Sequence, residues 1–211
     1  MNVLTPVMVV LAHPRANSLD HELAGNVRGL LRQSGVRQTF HDLYAESFDP
    51  VLTEDEGIAG EVWTRGTSSE QVRRQTTSAP DPLVDRHRRE LAESRALVVI
   101  HPDWWGKPPA ILTGWLDRVL LSGPSPGPVD PPAPNLRRVL VINTSDQEAD
   151  GADAATDPLG LLWREQIGPF LRSPDLERLT FRPVAGATSE QRARWFGATQ
   201  RAAAWVCGAA R

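Results

Sequence analysis

The 211-residue chain has a single cysteine, a single lysine and a single tyrosine. Cys207 cannot close an internal disulfide on its own, which fits a reducing compartment. Lys107 is the sole lysine, so the basic charge is almost all arginine. We read that bias first as coding composition and second as chemistry, since the two cations do differ physically. Charge of one sign is lacking as well: 23 basic against 26 acidic residues leave a net −3, no footprint for nucleic acid. No apolar run approaches the ~18–20 residues of a membrane span. Met1–Pro6 lacks the charged start of a signal peptide. Neither G-x-G-x-x-G nor G-x-x-x-x-G-K-[ST] occurs, which argues against a direct Rossmann or P-loop site. No repeat of fixed period is present. These absences argue against a secreted, membrane-spanning or disordered protein and lead to the expectation of a cytoplasmic one.

At this length one domain over residues 1–211 is expected, burying roughly 70% of its unfolded surface without a disulfide or metal staple. Short apolar runs at Pro6–Leu11, Ala96–Ile100 and Val139–Ile142 suit strands buried on both faces, as in a parallel sheet. Val36–His41 alternates and suits an edge strand. Between the runs lie helical spacings. Leu19, Leu23, Val27, Leu30 and Leu31 predict a helix over Leu19–Gln33, capped by Asp20 or Ser18 and ended by Gly35. Further helices are predicted over Pro82–Ser94, Pro108–Leu121, Asp157–Leu171 and Ser189–Gly208. Gly66–Asp81 and the Pro-rich stretch Ser122–Pro134 read as loops, the second as either a lid or an inert connector. Strands alternating with helices predict a doubly wound α/β fold with a parallel sheet.

In that architecture ligands sit at the carboxyl ends of the strands, so the residues just after them carry the functional reading. The first segment, Ala12–Asp20, runs from strand to helix start. Free N–H groups and the helix dipole make an anion site there, and His13, Asn17 and Ser18 add side-chain donors. The competing reading is a plain N-cap beside a solvated histidine. The second, His101–Lys107, holds Trp104 and Trp105, which cannot both enter one core. One of them offers a flat face to a planar ring, and Gly106 permits close approach of backbone to ligand. The third, Asn143-Thr144-Ser145-Asp146, suits hydrogen bonds to a heterocycle's edge, or only a turn. A planar anionic cofactor would use all three segments.

The same residues resemble a known family, the flavodoxin-like NAD(P)H:quinone oxidoreductases, including the ancillary reductases of bacterial potassium efflux systems. The resemblance is carried by Ala12-His13-Pro14 with Ser18, by Asp42-Leu43-Tyr44 with Phe48-Asp49-Pro50, and above all by HPDWWGKPPAILTGWLDRVL (His101–Leu120). Asp157-Pro158-Leu159 with Trp163, and Arg182–Trp195, resemble the family's C-terminal part. The resemblance implies a five-stranded parallel sheet with helices on both faces. It also implies a homodimer, a bound FMN or FAD, and NAD(P)H as donor to a quinone-like acceptor. It implies cofactor contacts from His13, Asn17, Ser18, Leu19 and Asp20 to the phosphate. Pro102, Asp103, Trp104, Trp105 and Gly106 would run along the ring, with Asn143, Thr144 and Ser145 at its edge. It names no catalytic side chain and no metal; His101 reads as a packed or capping histidine.

The chain also departs from the family. Thr144-Ser145-Asp146 stands for the usual Thr-Gly-Gly, Thr113 for a lysine, and Gly151 and Asp157 for a tyrosine and a histidine that stabilise the reduced ring. The Pro-rich loop replaces an aromatic segment of the acceptor pocket. Three readings follow: a reductase of general quinone-like acceptors, a flavin-binding accessory subunit of a membrane transporter, or a tailoring reductase for one metabolite. A degenerate domain that has lost its flavin is the remaining alternative.

Overall fold

The computed structural model describes residues 6–52, 81–121, 133–147, 157–171 and 175–209. Gly66–Asp81 apart from its last residue, Gly151 and all of the Pro-rich stretch except Ala133 and Pro134 lie outside them. Five strands form one sheet in the order β2-β1-β3-β4-β5, every neighbouring pair parallel. They are β1 Val7–Leu11, β2 Gln38–Asp42, β3 Ala96–Pro102, β4 Arg138–Thr144 and β5 Asp175–Phe181. The helices are α1 Leu19–Gln33, α2 Pro82–Glu93, α3 Ala110–Trp115, α4 Pro158–Leu161, α5 Gly168–Leu171 and α6 Ser189–Ala209.

β1 and β3 are buried along their whole length, which explains their unbroken apolar runs. The strand period of two sends Val7, Val9 and Leu11 to one face, with Leu23, Val27 and Leu31 of α1 and Ala203 and Val206 of α6. Met8 and Val10 go to the other face, with Leu91 of α2, Leu112 and Trp115 of α3, and Leu159 of α4. Because strand order reverses between β1 and β3, the connections leave to opposite faces there and open a crevice at their carboxyl ends.

One alternative is decided and one expectation is corrected. Ser18, not Asp20, caps α1, its side chain accepting from the His21 N–H. The predicted helices over Pro108–Leu121 and Asp157–Leu171 are not α throughout: Leu116–Leu121 and Leu162–Ile167 are wide π turns. Arg88 Nε donates to the Arg118 carbonyl at 3.1 Å, taking up a group in the first of these widened turns. β5, the fifth strand implied by the resemblance, shows no plain apolar run because it is a partly exposed edge strand that carries Glu177 and Arg178.

The other edge, β2, is tied down by charge. Glu46, just beyond it, meets His41 Nδ1 at 3.1 Å, Arg86 at 2.6 Å and His87 Nε2 at 3.1 Å. His41, Glu46 and His87 are metal-ligand types with ligand atoms within 4.8 Å of one another. They do not suit a metal, because Trp115 Nε1–H donates to His87 Nδ1 at 2.9 Å. A neutral ring then carries its proton on Nε2, the atom facing Glu46, where a metal would need a lone pair. Burial works to raise the Glu46 pKa, but the hydrogen bond with His41 and the close contact of His87 outweigh it and hold the carboxyl down to about 2. A depressed carboxyl stabilises the fold above its unfolded value, about 4.5, and loses that contribution as pH falls towards 2. Glu46→Gln should therefore lower stability at neutral pH. The gap to wild type in urea unfolding should close as pH falls through that window; a gap independent of pH would contradict the assignment.

Candidate functional site

A cleft of about 610 Å³ opens at the carboxyl ends of β1, β3 and β4, and three walls enclose it. The turn between β1 and α1 contributes His13, Asn17, Ser18, Leu19 and Asp20. The loop after β3 contributes Pro102, Asp103, Trp104 and Trp105, and the end of β4 contributes Thr144 and Ser145. The structure thus brings together all but two of the residues singled out in the sequence. Arg15, Asp146, Gln147 and Val184 also line it and were not chosen as site residues. Val184 is carried there by the chain after β5, whose amide donates to the Ser145 carbonyl at 3.0 Å.

The two exceptions have physical reasons. Asn143 is fully buried beneath the cleft. Its Nδ2 faces His101 Nε2 at 2.9 Å and its Oδ1 accepts from Arg178 Nε at 2.6 Å. Gly106 shapes the loop instead of lining the cleft: its φ is +73°, and a Cβ there would come within 2.6 Å of the Pro158 side chain. Its N–H is spent on Asp103 Oδ1 at 2.8 Å.

The first wall carries a helix start, where free N–H groups and the helix dipole would favour an anion. α1 begins at Leu19, and first-turn N–H groups such as those of Leu19 and Asp20 have no carbonyl partner within a helix. His13 Nδ1 accepts from the Arg15 N–H at 3.0 Å, so a neutral ring keeps its proton on Nε2. Burial lowers the His13 pKa, which favours that neutral donor. Asp20 is the discordant member. It is only 1% exposed, and burial pushes its carboxyl up to about 7 against the opposing hydrogen bond from Thr144 Oγ1 at 3.0 Å. Near neutrality it is therefore partly protonated and able to donate rather than repel.

The second wall is a plate. Trp104 is 39% exposed and Trp105 is 89% exposed. Trp105 adopts φ +62°, a left-handed conformation that costs a bulky residue free energy. The loop is pinned from both ends, Trp104 N–H donating to the Lys107 carbonyl at 3.0 Å and Asp103 N–H to the Thr144 carbonyl at 2.7 Å. Beneath it His101 Nε2 accepts from Trp163 Nε1 at 3.2 Å, so its proton sits on Nδ1 and is donated to the Pro102 carbonyl at 2.8 Å. Burial pushes the His101 pKa down to about 4, so it is a neutral strut, a packed histidine rather than an acid.

Several departures from the family pattern find places. Asp146 Oδ1 accepts from the Ala185 N–H at 2.7 Å and so anchors the chain after β5. Asp157 caps α4 through the Gly160 N–H at 3.0 Å and pairs with Arg178. Thr113 is exposed on α3 and donates to the Pro109 carbonyl at 3.3 Å. Sequence spacing missed His21 and Asp42, whose side chains meet at 3.0 Å behind Ser18.

Comparison with known proteins agrees with this architecture. The model of the flavodoxin-like fold family matches residues 5–198. The human ribosyldihydronicotinamide dehydrogenase [quinone] is 31% identical over 122 residues, 56% of this chain and 52% of that protein. The chain thus spans about half the length of the curated relatives it matches. An NAD(P)H:quinone oxidoreductase from Methanothermobacter marburgensis superposes with a TM-score of 0.72 at 18% identity, covering 94% of this chain and 95% of that one. An FMN-dependent NADH-azoreductase from Bacillus anthracis, solved in complex with FMN, gives 0.68 at 15% identity, covering 96% and 99%. At these identities the solved structures speak to fold alone.

The strain at Trp105 is testable apart from any ligand. Trp105→Gly should be more stable than Trp105→Ala by about 1 kcal/mol, because only glycine adopts positive φ without penalty. Equal midpoints in denaturant for the two variants would show that the backbone there is relaxed.

Proposed function

The chain belongs to the flavodoxin-like fold family, and on that premise we propose that it is an NAD(P)H-dependent flavin oxidoreductase that passes a hydride to a quinone-like acceptor. We propose FMN as the cofactor. The observation that carries this reading is one cleft with a helix start at one wall and two solvent-accessible tryptophans at the other, Trp105 being held at a positive φ. That pairing suits a planar ring that bears a phosphate. When bound, the flavin supplies the ring that links NAD(P)H oxidation to acceptor reduction.

The chain's own residues then bind and orient. Leu19 and Asp20 N–H groups, the Ser18 hydroxyl and the His13 Nε2–H would take the phosphate. Asn17 and Arg15 stand on the same wall. Trp104 and Trp105 would flank the ring, with Pro102 and Asp103 at their base. Thr144, Ser145 and Gln147 would meet its polar edge. Gly106 and Asn143 act from outside the cleft, one by bending the plate's loop and the other by bracing His101 beneath it. No side chain is assigned as acid or base: hydride transfer to a quinone-like acceptor needs positioning first. NAD(P)H is the proposed donor because the relatives' names include NAD(P)H oxidoreductases.

A homodimer is part of the proposal. Trp104 and Trp105 together with Leu161 of α4 leave apolar surface exposed, and Gly106 packs against Pro158 at the start of the same helix. A second copy covering this patch would also wall the cleft. No described helix is long and apolar enough to cross a membrane. A cytoplasmic location belongs to the same proposal and is supported by the lone, buried Cys207.

The first test is the visible spectrum of the purified protein with added FMN or FAD. Bands near ~370 and ~450 nm that survive gel filtration are expected. Released cofactor distinguishes FMN from FAD, and NADPH consumption with a simple quinone should then follow. Ser18→Asp should weaken FMN binding by roughly tenfold or more, because it sets a second anion at the helix start. A colourless protein that binds neither flavin would overturn the proposal, and unchanged affinity in Ser18→Asp would move the phosphate away from α1.

A further inference from the structure

Behind the turn between β1 and α1, Ser18 is linked in a chain through His21 to Asp42, two residues with no part in the cleft's lining. His21, in the first turn of α1, places Nδ1 3.0 Å from Ser18 Oγ and Nε2 3.0 Å from Asp42 Oδ2. Asp42 ends the edge strand β2. Its other oxygen accepts from the backbone N–H groups of Tyr44 and Ala45, at 3.2 Å each, so the carboxylate cannot turn and Oδ2 stays on His21. We propose that His21, held by Asp42, is a positioning residue for the phosphate of the bound ligand: its ring sets whether the Ser18 hydroxyl donates to the anion. This rests on the reading that the phosphate lies at the β1–α1 turn.

Asp42, ionised, only accepts, so a neutral His21 keeps its one ring proton on Nε2. Nδ1 is then bare and takes the hydroxyl proton of Ser18. In that state Ser18 has nothing to donate and turns a lone pair towards an incoming phosphate. A second proton on the ring reverses the bond. Nδ1–H now donates to Ser18 Oγ, which also caps the helix by accepting from the His21 N–H at 3.4 Å. The hydroxyl proton is released to the cleft, and a cation balanced by Asp42 stands one side chain behind it. A serine serving only as a helix cap would need no carboxylate at the far side of the ring.

Other charges face this chain. They are His13, with its ring 6.3 Å from that of His21, and Arg15 from the turn; Asp20 and Glu22 on α1; Asp42 on β2; Asp146 after β4; and Arg192 of α6, which pairs with Glu22. Asp20 also favours the anion as pH falls, while the second ionisation of a phosphate ester near pH ~6 acts the other way. The test is therefore a difference between variants. In Asp42→Asn the oxygen must keep the Tyr44 and Ala45 N–H groups, so the new amide donates to His21 Nε2. The neutral ring then carries its proton on Nδ1, and Ser18 is a donor whether or not the ring is charged.

The experiment measures the affinities of wild type, His21→Ala and Asp42→Asn for FMN and for riboflavin, which lacks the phosphate, between about pH 6 and 8. Wild type should prefer FMN over riboflavin. His21→Ala should lose about 10- to 100-fold of that preference while keeping its riboflavin affinity, which also shows that the cleft has folded. Asp42→Asn should keep a preference for FMN with a shallower pH dependence than wild type. His21→Ala with the wild-type preference, or Asp42→Asn with the wild-type pH profile, would overturn the role of His21 and leave the cofactor reading intact. A wild type that binds FMN and riboflavin equally would overturn the phosphate assignment and this inference together. A wild type that binds neither would overturn the proposed function itself.

Discussion

The site depends on burying the central strands from both sides. β1 and β3 expose no side chain, and because strand order reverses between them the crossovers part and leave a crevice at their carboxyl ends. That constraint delivers three unrelated loops to one place. It also fixes their spacing, because each is welded to its neighbour by main-chain bonds: Ala12 to Ile100, Asp103 to Thr144, and Ser145 to Phe181. The chemistry of the cleft is therefore carried by short loops on a rigid frame, an arrangement that holds a ligand without reorganising the fold.

Legibility in the sequence followed from how one-sided each environment is. α1 was readable to its ends because one face is uniformly apolar and its boundaries carry Ser18 and Gly35. β1, β3 and β4 were readable because both faces are buried. β5 shows no such run because, as an edge strand, it mixes Glu177 and Arg178 with Leu176 and Leu179. The π turns after Trp115 and Leu161 were illegible, since apolar spacing does not separate a helix that widens by one residue from one that does not. In the site, residue type and position after a strand were enough to find the three walls. Depth was not legible. Asn143 and Thr144 are adjacent and equally polar, yet successive side chains of a strand turn opposite ways, so one braces His101 and the other reaches the cleft. His21 and Asp42 were missed for a different reason: 21 residues separate them, and only the parallel register of β1 with β2 sets them side by side.

Where the chain departs from its family pattern, the departures are compensated locally. Asp146 is bound to the Ala185 amide and Asp157 to Arg178, so neither carboxylate stands loose at the cleft's edge. Asp20 is different. It is deep, its hydrogen bond comes from Thr144 of the next wall, and its charge state is balanced near neutrality. The two walls are thereby joined through one side-chain hydrogen bond, from Thr144 to Asp20.

β2 is an edge strand paired with β1 alone over five residues, against the seven that the other edge strand, β5, shares with β4, so it has less pairing to lose on local opening. Its ties are correspondingly numerous: Gln38 donates to the Arg28 carbonyl, the Arg28 guanidinium lies 3.9 Å over the Phe40 ring, and His41 is held by Glu46 and Glu90. The last residue of this strand is Asp42, which reaches His21 behind the cleft. The margin of the sheet and the turn between β1 and α1 are thus joined through one carboxylate, so loss of β2 pairing would withdraw Asp42 from His21.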